Sequence, residues 1–350
     1  MPEGHTVHRL ARTFEEVFAG GRVRTASPQG RFEAEAARLD GQVLLGAEAI
    51  GKHLLLAFAP EADIAPGDPA VRFVHVHLGL YGSWTFAGSG ERALSHAIGA
   101  PRRVGEREEL LGADGGTDTD AWLRTPPRDT VRLRVVGADA LADLTGPTRC
   151  DLIGHEERAA LIARIGPDPL RPDADRERFV ERVRASRTGI GVLLMNQDVI
   201  AGVGNIYRAE ALFRARLDPF VPGRDLSAGM VRAIWDDLAA LMAYGARTGR
   251  IVTTQPEHRD IEARIIERSR GARQNGDDDP TVVPREKSFY VYHRQTLPCR
   301  ICGTIIRSAD LAGRTVFWCP RCQTVRSRRP AWLDENPAAP WALGEASDER

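Results

Sequence analysis

The sequence has no apolar run that approaches the roughly 20 residues a membrane-spanning helix needs. This absence argues against a helical membrane protein. The first residues, MPEGHTVHRLAR, also lack the apolar core of a secretory signal, because charged residues and histidines occupy those positions. We therefore expect a cytoplasmic protein with no membrane partner, and 350 residues are enough for about two or three domains.

An excess of charge of one sign is absent as well, because 48 basic side chains balance 48 acidic ones. Total charge therefore gives no indication of a nucleic-acid partner. The distribution is uneven, however: between Arg285 and Arg329 ten Lys or Arg residues face two acids, Glu286 and Asp310. A basic module on a neutral chain favours contact with a polyanion, although a solvated surface would have the same composition.

Cysteine is scarce, and four of the five cysteines form two tight pairs. Cys299 and Cys302 are separated by sixteen residues from Cys319 and Cys322. This spacing is typical of a tetrahedral site of four thiolates, with zinc as the favoured ion and iron as the lesser competitor. Because four protein ligands leave no open position, the ion is expected to be structural. The fifth residue, Cys150, has no activating neighbour in the sequence and is expected to be a neutral thiol.

The segment between the two cysteine pairs can form a hairpin with its turn near Ala312-Gly313. Arg314 lies just past that turn. An arginine there can enter a DNA groove or bind a phosphate, but a solvated turn residue would occupy the same position.

Hydrophobic periodicity divides the rest of the chain into a β-rich first third and a helical middle. Strands are predicted within Val71–Phe86, after the Gly51-Lys52 turn and at Val131–Val136; helices are predicted at Thr6–Phe18, 151–164, 175–185 and 227–247. Residues 91–129 are expected to be a long insertion, 270–285 a linker and 330–350 a disordered tail.

A glycine-rich stretch, AGVGN, joins two apolar helical segments between Ile190 and Leu217. Gly202 and Gly204 allow close approach of the backbone to a partner, and Asn205 is a favourable N-cap for the second helix. The N–H groups at a helix start form a natural phosphate site. The alternative is a helical hairpin whose glycines serve close packing.

The N-terminus carries a further candidate. A small second residue permits removal of the initiator methionine, which would leave Pro2 with a free secondary amine, a nucleophile able to attack a sugar carbon and form an iminium intermediate. Glu3 could act as general acid and base, and Lys52 could stabilise a developing negative charge. Many proteins begin Met-Pro-Glu, so this pattern alone does not establish an enzyme.

Four motifs occur together and in order: PEGHTVHRLA, the Gly51-Lys52 turn, AGVGNIYRAEALF and CRIC…GRTVFWCPRCQ. Together they resemble the formamidopyrimidine-DNA glycosylase/endonuclease VIII family over residues 2–324. The PEG start and Leu80-Tyr81 are similar to the endonuclease VIII branch, in particular to its actinobacterial members.

The resemblance implies an α+β fold in three parts. A catalytic β-sandwich domain is expected at 1–140, a helix–two-turn–helix domain at 145–250 and a zinc-finger hairpin at 285–325. DNA would lie bent between the first two domains with the damaged nucleotide flipped out.

The resemblance also implies roles for individual residues. Pro2 corresponds to the nucleophile, Glu3 to the acid/base and Lys52 to the catalytic lysine. Asn205 and the Gly204 backbone correspond to phosphate contacts, and Arg314 to the zinc-hairpin arginine. Leu80 and Tyr81 correspond to residues that fill the space left by the flipped base, with a buried strand pair as the alternative.

The function implied is a base-excision-repair DNA glycosylase with AP-lyase activity, acting as a monomer on damaged double-stranded DNA near the bacterial nucleoid with one structural Zn²⁺. Oxidised pyrimidines are the expected substrates. Two alternatives are an oxidised-purine glycosylase and a non-catalytic damaged-DNA binder built on the zinc module.

Overall fold

The computed structural model describes residues 2–88, 97–99, 126–259 and 283–324. The described chain forms two compact units, one up to Ile165 and the other from Gly166 onward. Within these residues no helix combines the length and apolar character needed to cross a bilayer. The predicted insertion at 91–129 lies outside the described residues except at 97–99 and 126–129, as do the linker up to residue 282 and the whole tail from 330.

The first unit contains two antiparallel sheets in its described part. The strands of the first sheet are β2 (Val43–Ile50), β3 (His53–Ala59), β4 (Arg72–His77) and β9 (Arg149–Ile153), in the order β2-β3-β4-β9. Those of the second are β1 (Arg24–Ala26), β5 (Ser83–Gly88), β6 (Ala97–Gly99), β7 (Val131–Val136) and β8 (Ala140–Thr145). Their order is β1-β7-β8-β5-β6.

Alternate residues of both sheets point into one shared core, which makes the unit a β-sandwich. Helix α1 (Gly4–Phe18) contributes Phe14, whose ring meets Trp84 edge-on with centroids 4.8 Å apart. The described part of this unit also contains α2 (Glu33–Leu39) and α3 (His155–Arg164). The apolar spacing along α1 places one face of the helix in this core, as the sequence predicts.

Three elements differ from prediction by more than one residue. Helix α1 begins at Gly4, two residues before the predicted Thr6. Strand β6 lies within the segment expected to be a long insertion, where it pairs with β5. The helix predicted from Asp151 begins at His155, because the preceding residues alternate as strand β9 and pair with β4.

In its described residues the second unit is helical, and its α-helices there are α4 (Arg176–Arg184), α5 (Ile190–Leu193), α6 (Asn205–Arg214) and α7 (Ala228–Thr248). Asp175 caps α4 and Ser227 caps α7 through their side chains, so both helices lie within a residue or so of their predicted bounds. Buried apolar faces of all four helices form one core.

The cysteine-rich module of this unit carries the predicted hairpin, formed by strands β10 (Arg307–Leu311) and β11 (Arg314–Trp318). Ala312 and Gly313 form its turn with φ of 54° and 74°. Two positive φ angles are typical of the two-residue turns that match strand twist.

Candidate active site and DNA-binding elements

Pro2 and Glu3 lie buried at the start of helix α1, and Glu3 is only 1% exposed. Glu3 is the N-cap residue, with the extended backbone of φ −113° and ψ 177°, and its carbonyl accepts a hydrogen bond from Thr6 N at 3.0 Å. The positive end of the helix dipole favours the carboxylate and disfavours a protonated amine in the same place. Met1 lies outside the described residues.

Lys52 occupies the two-residue turn between β2 and β3, where Ile50 pairs with His53. Gly51, the first turn residue, has a φ of +60°, a conformation that favours glycine. Lys52 is half-buried. Burial, and next the positive charge of Lys52, lower the pKa of His77.

A histidine cluster beside Lys52 was not predicted from the sequence. His53 Nδ1 and His75 Nε2 lie 2.8 Å apart, and the His77 ring centroid is 5.0 Å from that of His53. Burial lowers the pKa of His53 to about 3 and that of His75 to about 4. The His53 and His75 rings are therefore neutral at pH 7. The alternation His75-Val-His77 on a strand indicates that these two histidines share one face of the sheet. The sequence does not give the pairing register, which brings His53 onto the same face.

Leu80 and Tyr81 lie in the turn between β4 and β5 with 42% and 81% of their surface exposed. The buried strand pair considered from the sequence is therefore wrong. Gly79 at the start of the turn has a φ of +67°, and a Cβ there would stand 2.2 Å from Thr148 Cγ2. Only glycine fits this position, so the turn that displays the two apolar side chains is closely specified.

The glycine-rich segment leads into α6, and Gly202 has a φ of +83°. The Gln197 side chain braces the segment, because its Oε1 accepts from Gly202 N at 3.0 Å and its Nε2 donates to the Val203 carbonyl at 2.9 Å. The N-cap of α6 is Gly204, and Asn205 is the first helical residue, so the predicted N-cap role of Asn205 is wrong. The Asn205 side chain instead accepts a hydrogen bond from Arg208.

The four paired cysteines come together, with all sulfurs within 4.8 Å of one another. Cys299 Sγ lies 3.8 Å from Cys322 Sγ, and Cys302 Sγ lies 3.5 Å from Cys319 Sγ. Four thiolates about 2.3 Å from one tetrahedral zinc ion would lie about 3.8 Å apart. The described cysteines therefore fit a closed metal site. Cys150 lies apart and buried, and burial raises its pKa to about 12.

Helix α6 is joined to the cysteine-rich module by a buried carboxylate that the sequence analysis missed. Glu210 accepts hydrogen bonds from the backbone N–H groups of Tyr290, Val291 and Tyr292, each at 2.8 Å. Two buried polar residues on the same helix, Arg208 and Arg214, reach the hairpin and Asp237 respectively. Arg314 lies exposed at the hairpin tip.

Three family models match the chain in succession. The formamidopyrimidine-DNA glycosylase N-terminal domain matches residues 1–115, and the H2TH domain of the same enzyme matches residues 165–257. The zinc finger found in FPG and IleRS matches residues 297–325.

Curated relatives match along nearly the whole chain. Endonuclease 8 1 of Mycobacterium tuberculosis is 44% identical over 324 residues, which are 93% of this chain and 100% of the relative. A formamidopyrimidine-DNA glycosylase of Acidothermus cellulolyticus is 31% identical over 340 residues, 95% of this chain and 99% of the relative. Probable endonuclease 8 2 of Streptomyces coelicolor is 29% identical over 338 residues, 94% of this chain and 96% of the relative.

Solved structures share the fold at lower identity. The Fpg protein of Lactococcus lactis, in a complex with DNA that contains N7-benzyl-Fapy-dG, has a TM-score of 0.64 and 21% identity. That match covers 93% of this chain and 100% of the other. The expected α+β fold with a zinc finger and the expected enzyme class are thereby confirmed. The chain belongs to the formamidopyrimidine-DNA glycosylase/endonuclease VIII family of base-excision-repair DNA glycosylases with AP-lyase activity.

Proposed function

We propose that this protein removes oxidised bases, pyrimidines foremost, through a Schiff base on Pro2 and then cleaves the strand by β,δ-elimination. The observation that carries the proposal is the buried Pro2-Glu3 pair at the positively polarised start of α1. A nucleophile and an acid/base group are adjacent there, at a helix start whose dipole disfavours a protonated amine.

The chemistry begins when the Pro2 nitrogen uses its lone pair to form a bond to the sugar C1′ carbon. The bond from C1′ to the damaged base breaks, and the base leaves with that electron pair and takes up a proton. The Glu3 carboxylate takes the remaining proton from the Pro2 nitrogen, and the nitrogen lone pair then opens the sugar ring to give an iminium ion. Because proline is a secondary amine, this ion has no N–H proton to lose and stays cationic, which acidifies the C2′ proton.

Elimination completes the reaction. Loss of the C2′ proton expels the 3′ phosphate, loss of a second proton expels the 5′ phosphate, and water hydrolyses the iminium to free the enzyme. Glu3 protonates the ring oxygen on opening and then carries protons during elimination. Lys52 supplies positive charge to the developing oxyanion or to a phosphate. The neighbouring His53 and His75 rings are neutral and add no further positive charge there.

DNA binding is assigned to groups of both units. Leu80 and Tyr81 would fill the space left by the flipped nucleotide, which their exposure supports. In the second unit the Gly204 backbone and Asn205 at the start of α6 would bind phosphate, together with Arg314.

Cys299, Cys302, Cys319 and Cys322 are proposed to hold one structural Zn²⁺, which the donor set and sulfur spacing support. The three-part organisation expected from the sequence is retained in the proposal, with catalysis at 1–140 and DNA binding at 145–250 and 285–325. We propose that the protein acts as a monomer in the cytoplasm, on nucleoid DNA.

Strand incision of defined duplexes tests the proposal. Separate substrates carry thymine glycol, dihydrouracil, 8-oxoguanine or an abasic site. The wild type should incise the pyrimidine-lesion and abasic duplexes, Pro2→Gly should lose incision of all of them, and Glu3→Gln should retain binding with impaired incision. Faster incision at 8-oxoguanine than at either pyrimidine lesion would favour the oxidised-purine alternative. Tight binding without incision of any duplex would favour the non-catalytic binder.

A further inference from the structure

Arg208 is a fully buried cation in the first turns of helix α6. Its guanidinium reaches three acceptors on three segments of the second unit. One is the Asn205 Oδ1 atom in the same helix, another is the Thr315 carbonyl of β11 at 2.8 Å, and the third is the Gly191 carbonyl of α5 at 3.4 Å. A planar fork with five N–H donors can span such a set, whereas the compact ammonium of lysine cannot.

The contact fixes the orientation of the Asn205 amide. A guanidinium carries only donors, so the amide atom that faces it must be the oxygen. The amide nitrogen, with its two N–H donors, then lies in the same plane but points away from the guanidinium. Phosphate oxygens accept and never donate, so a phosphate contact from Asn205 requires this orientation.

The same guanidinium also holds the hairpin that carries Arg314. Thr315, whose carbonyl accepts from Arg208, is the next residue after Arg314 in β11. The hairpin packs against α5 as well, because a Cβ on Gly191 would stand 3.0 Å from Leu311 Cδ2. Arg208 thus links Asn205 with the strand that begins at Arg314.

We infer that Arg208 is a positioning residue for DNA binding: it fixes the Asn205 amide with its N–H donors outward and holds the Arg314 hairpin in place beside it. The inference deepens the proposed function, since it depends on Asn205 as a phosphate contact. Arg208 itself touches no DNA in this account.

A double-mutant cycle tests the inference, with affinity measured by fluorescence anisotropy on a duplex that contains a tetrahydrofuran abasic-site analogue. We expect Asn205→Ala to weaken binding about tenfold, in line with the loss of one good hydrogen bond to a charged group. Arg208→Met should weaken binding by more, because the hairpin also loses its anchor. The double variant should bind no worse than Arg208→Met alone. If the loss of affinity in the double variant equals the product of the two single losses, the inference is overturned.

Arg214→Met is the matched control, because Arg214 lies buried on the same helix but pairs with Asp237. Its effect should multiply with that of Asn205→Ala, as expected for independent sites. Arg208→Lys keeps the buried positive charge, so this variant should fold even if Arg208→Met does not. Compared with Arg208→Met, it should recover part of the zinc content and thermal stability but none of the affinity. Wild-type affinity in Arg208→Lys would overturn the inference.

Single-turnover strand cleavage separates positioning from chemistry. At saturating enzyme, folded Arg208 variants should cleave an abasic duplex at close to the wild-type rate, with the loss confined to affinity. A reduced rate at saturation would overturn the positioning role. If Asn205→Ala binds the duplex as tightly as the wild type, the inference fails. The proposed function is tested separately, and it stands as long as incision depends on Pro2.

Discussion

The Glu210 carboxylate accepts a hydrogen bond from the backbone N–H of Val291 at 2.8 Å, which fixes the start of the cysteine-rich module against helix α6. The amides of Tyr290 and Tyr292 donate to the same carboxylate. Three consecutive donors on one fully buried carboxylate leave little freedom for rotation of the module. The zinc finger and α6 are therefore expected to unfold together.

Glu210→Gln should destabilise the protein by about 2–4 kcal/mol, because one carboxylate oxygen is replaced by a donor that faces buried backbone N–H groups. Chemical denaturation measures this free energy of unfolding. Glu181→Gln, an exposed change on α4, is the control and should shift the midpoint little. A Glu210→Gln midpoint equal to that of the control would show that the carboxylate does not anchor the module.

The buried histidines predict a loss of stability in mild acid. Burial lowers the pKa of His5 and His53 to about 3 and that of His75 to about 4, well below the value of about 6.5 in an unfolded chain. As the pH falls below 6.5 the unfolded chain binds protons that the native protein does not. The stabilising effect of the neutral rings is therefore complete above pH 6.5 and lost as the pH falls towards 3–4.

Each such histidine contributes a slope of about 1.4 kcal/mol per pH unit where the unfolded form is protonated and the native form is neutral. His53→Gln should flatten the fall in unfolding free energy by about this amount between pH 6 and 5, where few carboxyl groups titrate. Denaturation midpoints at half-unit pH intervals give the slope. An unchanged slope in His53→Gln would mean that His53 is already charged in the native protein.

Removal of one sulfur from the metal site should disrupt DNA binding. Cys302→Ser is expected to release zinc and to weaken binding to an abasic duplex by tenfold or more, since the hairpin that carries Arg314 loses its anchor. Zinc is measured by atomic absorption and affinity by anisotropy. Cys150→Ala is the control, because that buried thiol lies apart from the cluster and should leave zinc content and affinity unchanged. Retained affinity in zinc-free Cys302→Ser would remove the hairpin from the DNA-binding surface.

Tyr81→Ala should separate duplex recognition from chemistry. Because 81% of this side chain is exposed, its truncation should change the unfolding free energy by less than about 0.5 kcal/mol. Incision of a duplex should slow about tenfold, since the space left by the flipped nucleotide is no longer filled. Incision of a single-stranded abasic oligonucleotide should not change. An equal loss of incision rate on the duplex and on the single strand would contradict the proposed role of Tyr81 in filling the space left by the flipped nucleotide.

The sequence predicted what depends on local pattern. Helical spacing located α4 and α7, strand alternation located β4 and β7, and the spacing of the cysteines indicated a closed metal site that the structure brings together. Each of these signals lies within a short stretch of chain.

What the sequence did not reveal depends on contacts between distant residues. His53 meets His75 only because β3 and β4 pair in one register, and a shift of one residue would place these two rings on opposite faces of the sheet. Glu210 and Tyr290 are eighty residues apart along the chain. The local pattern predicts Asn205 as an N-cap. In the structure Gly204 is the N-cap, and the Asn205 Oδ1 atom accepts a hydrogen bond from Arg208, one turn later in the helix.

Borohydride trapping followed by peptide mass spectrometry tests the central claim most directly. Hydride addition to an iminium on abasic DNA yields a stable amine, and we predict that the sugar remnant is found on the N-terminal peptide that begins with Pro2. Pro2→Gly should give little or no trapped product. An adduct on Lys52 or another lysine, or a mature N-terminus that still carries methionine, would contradict the account.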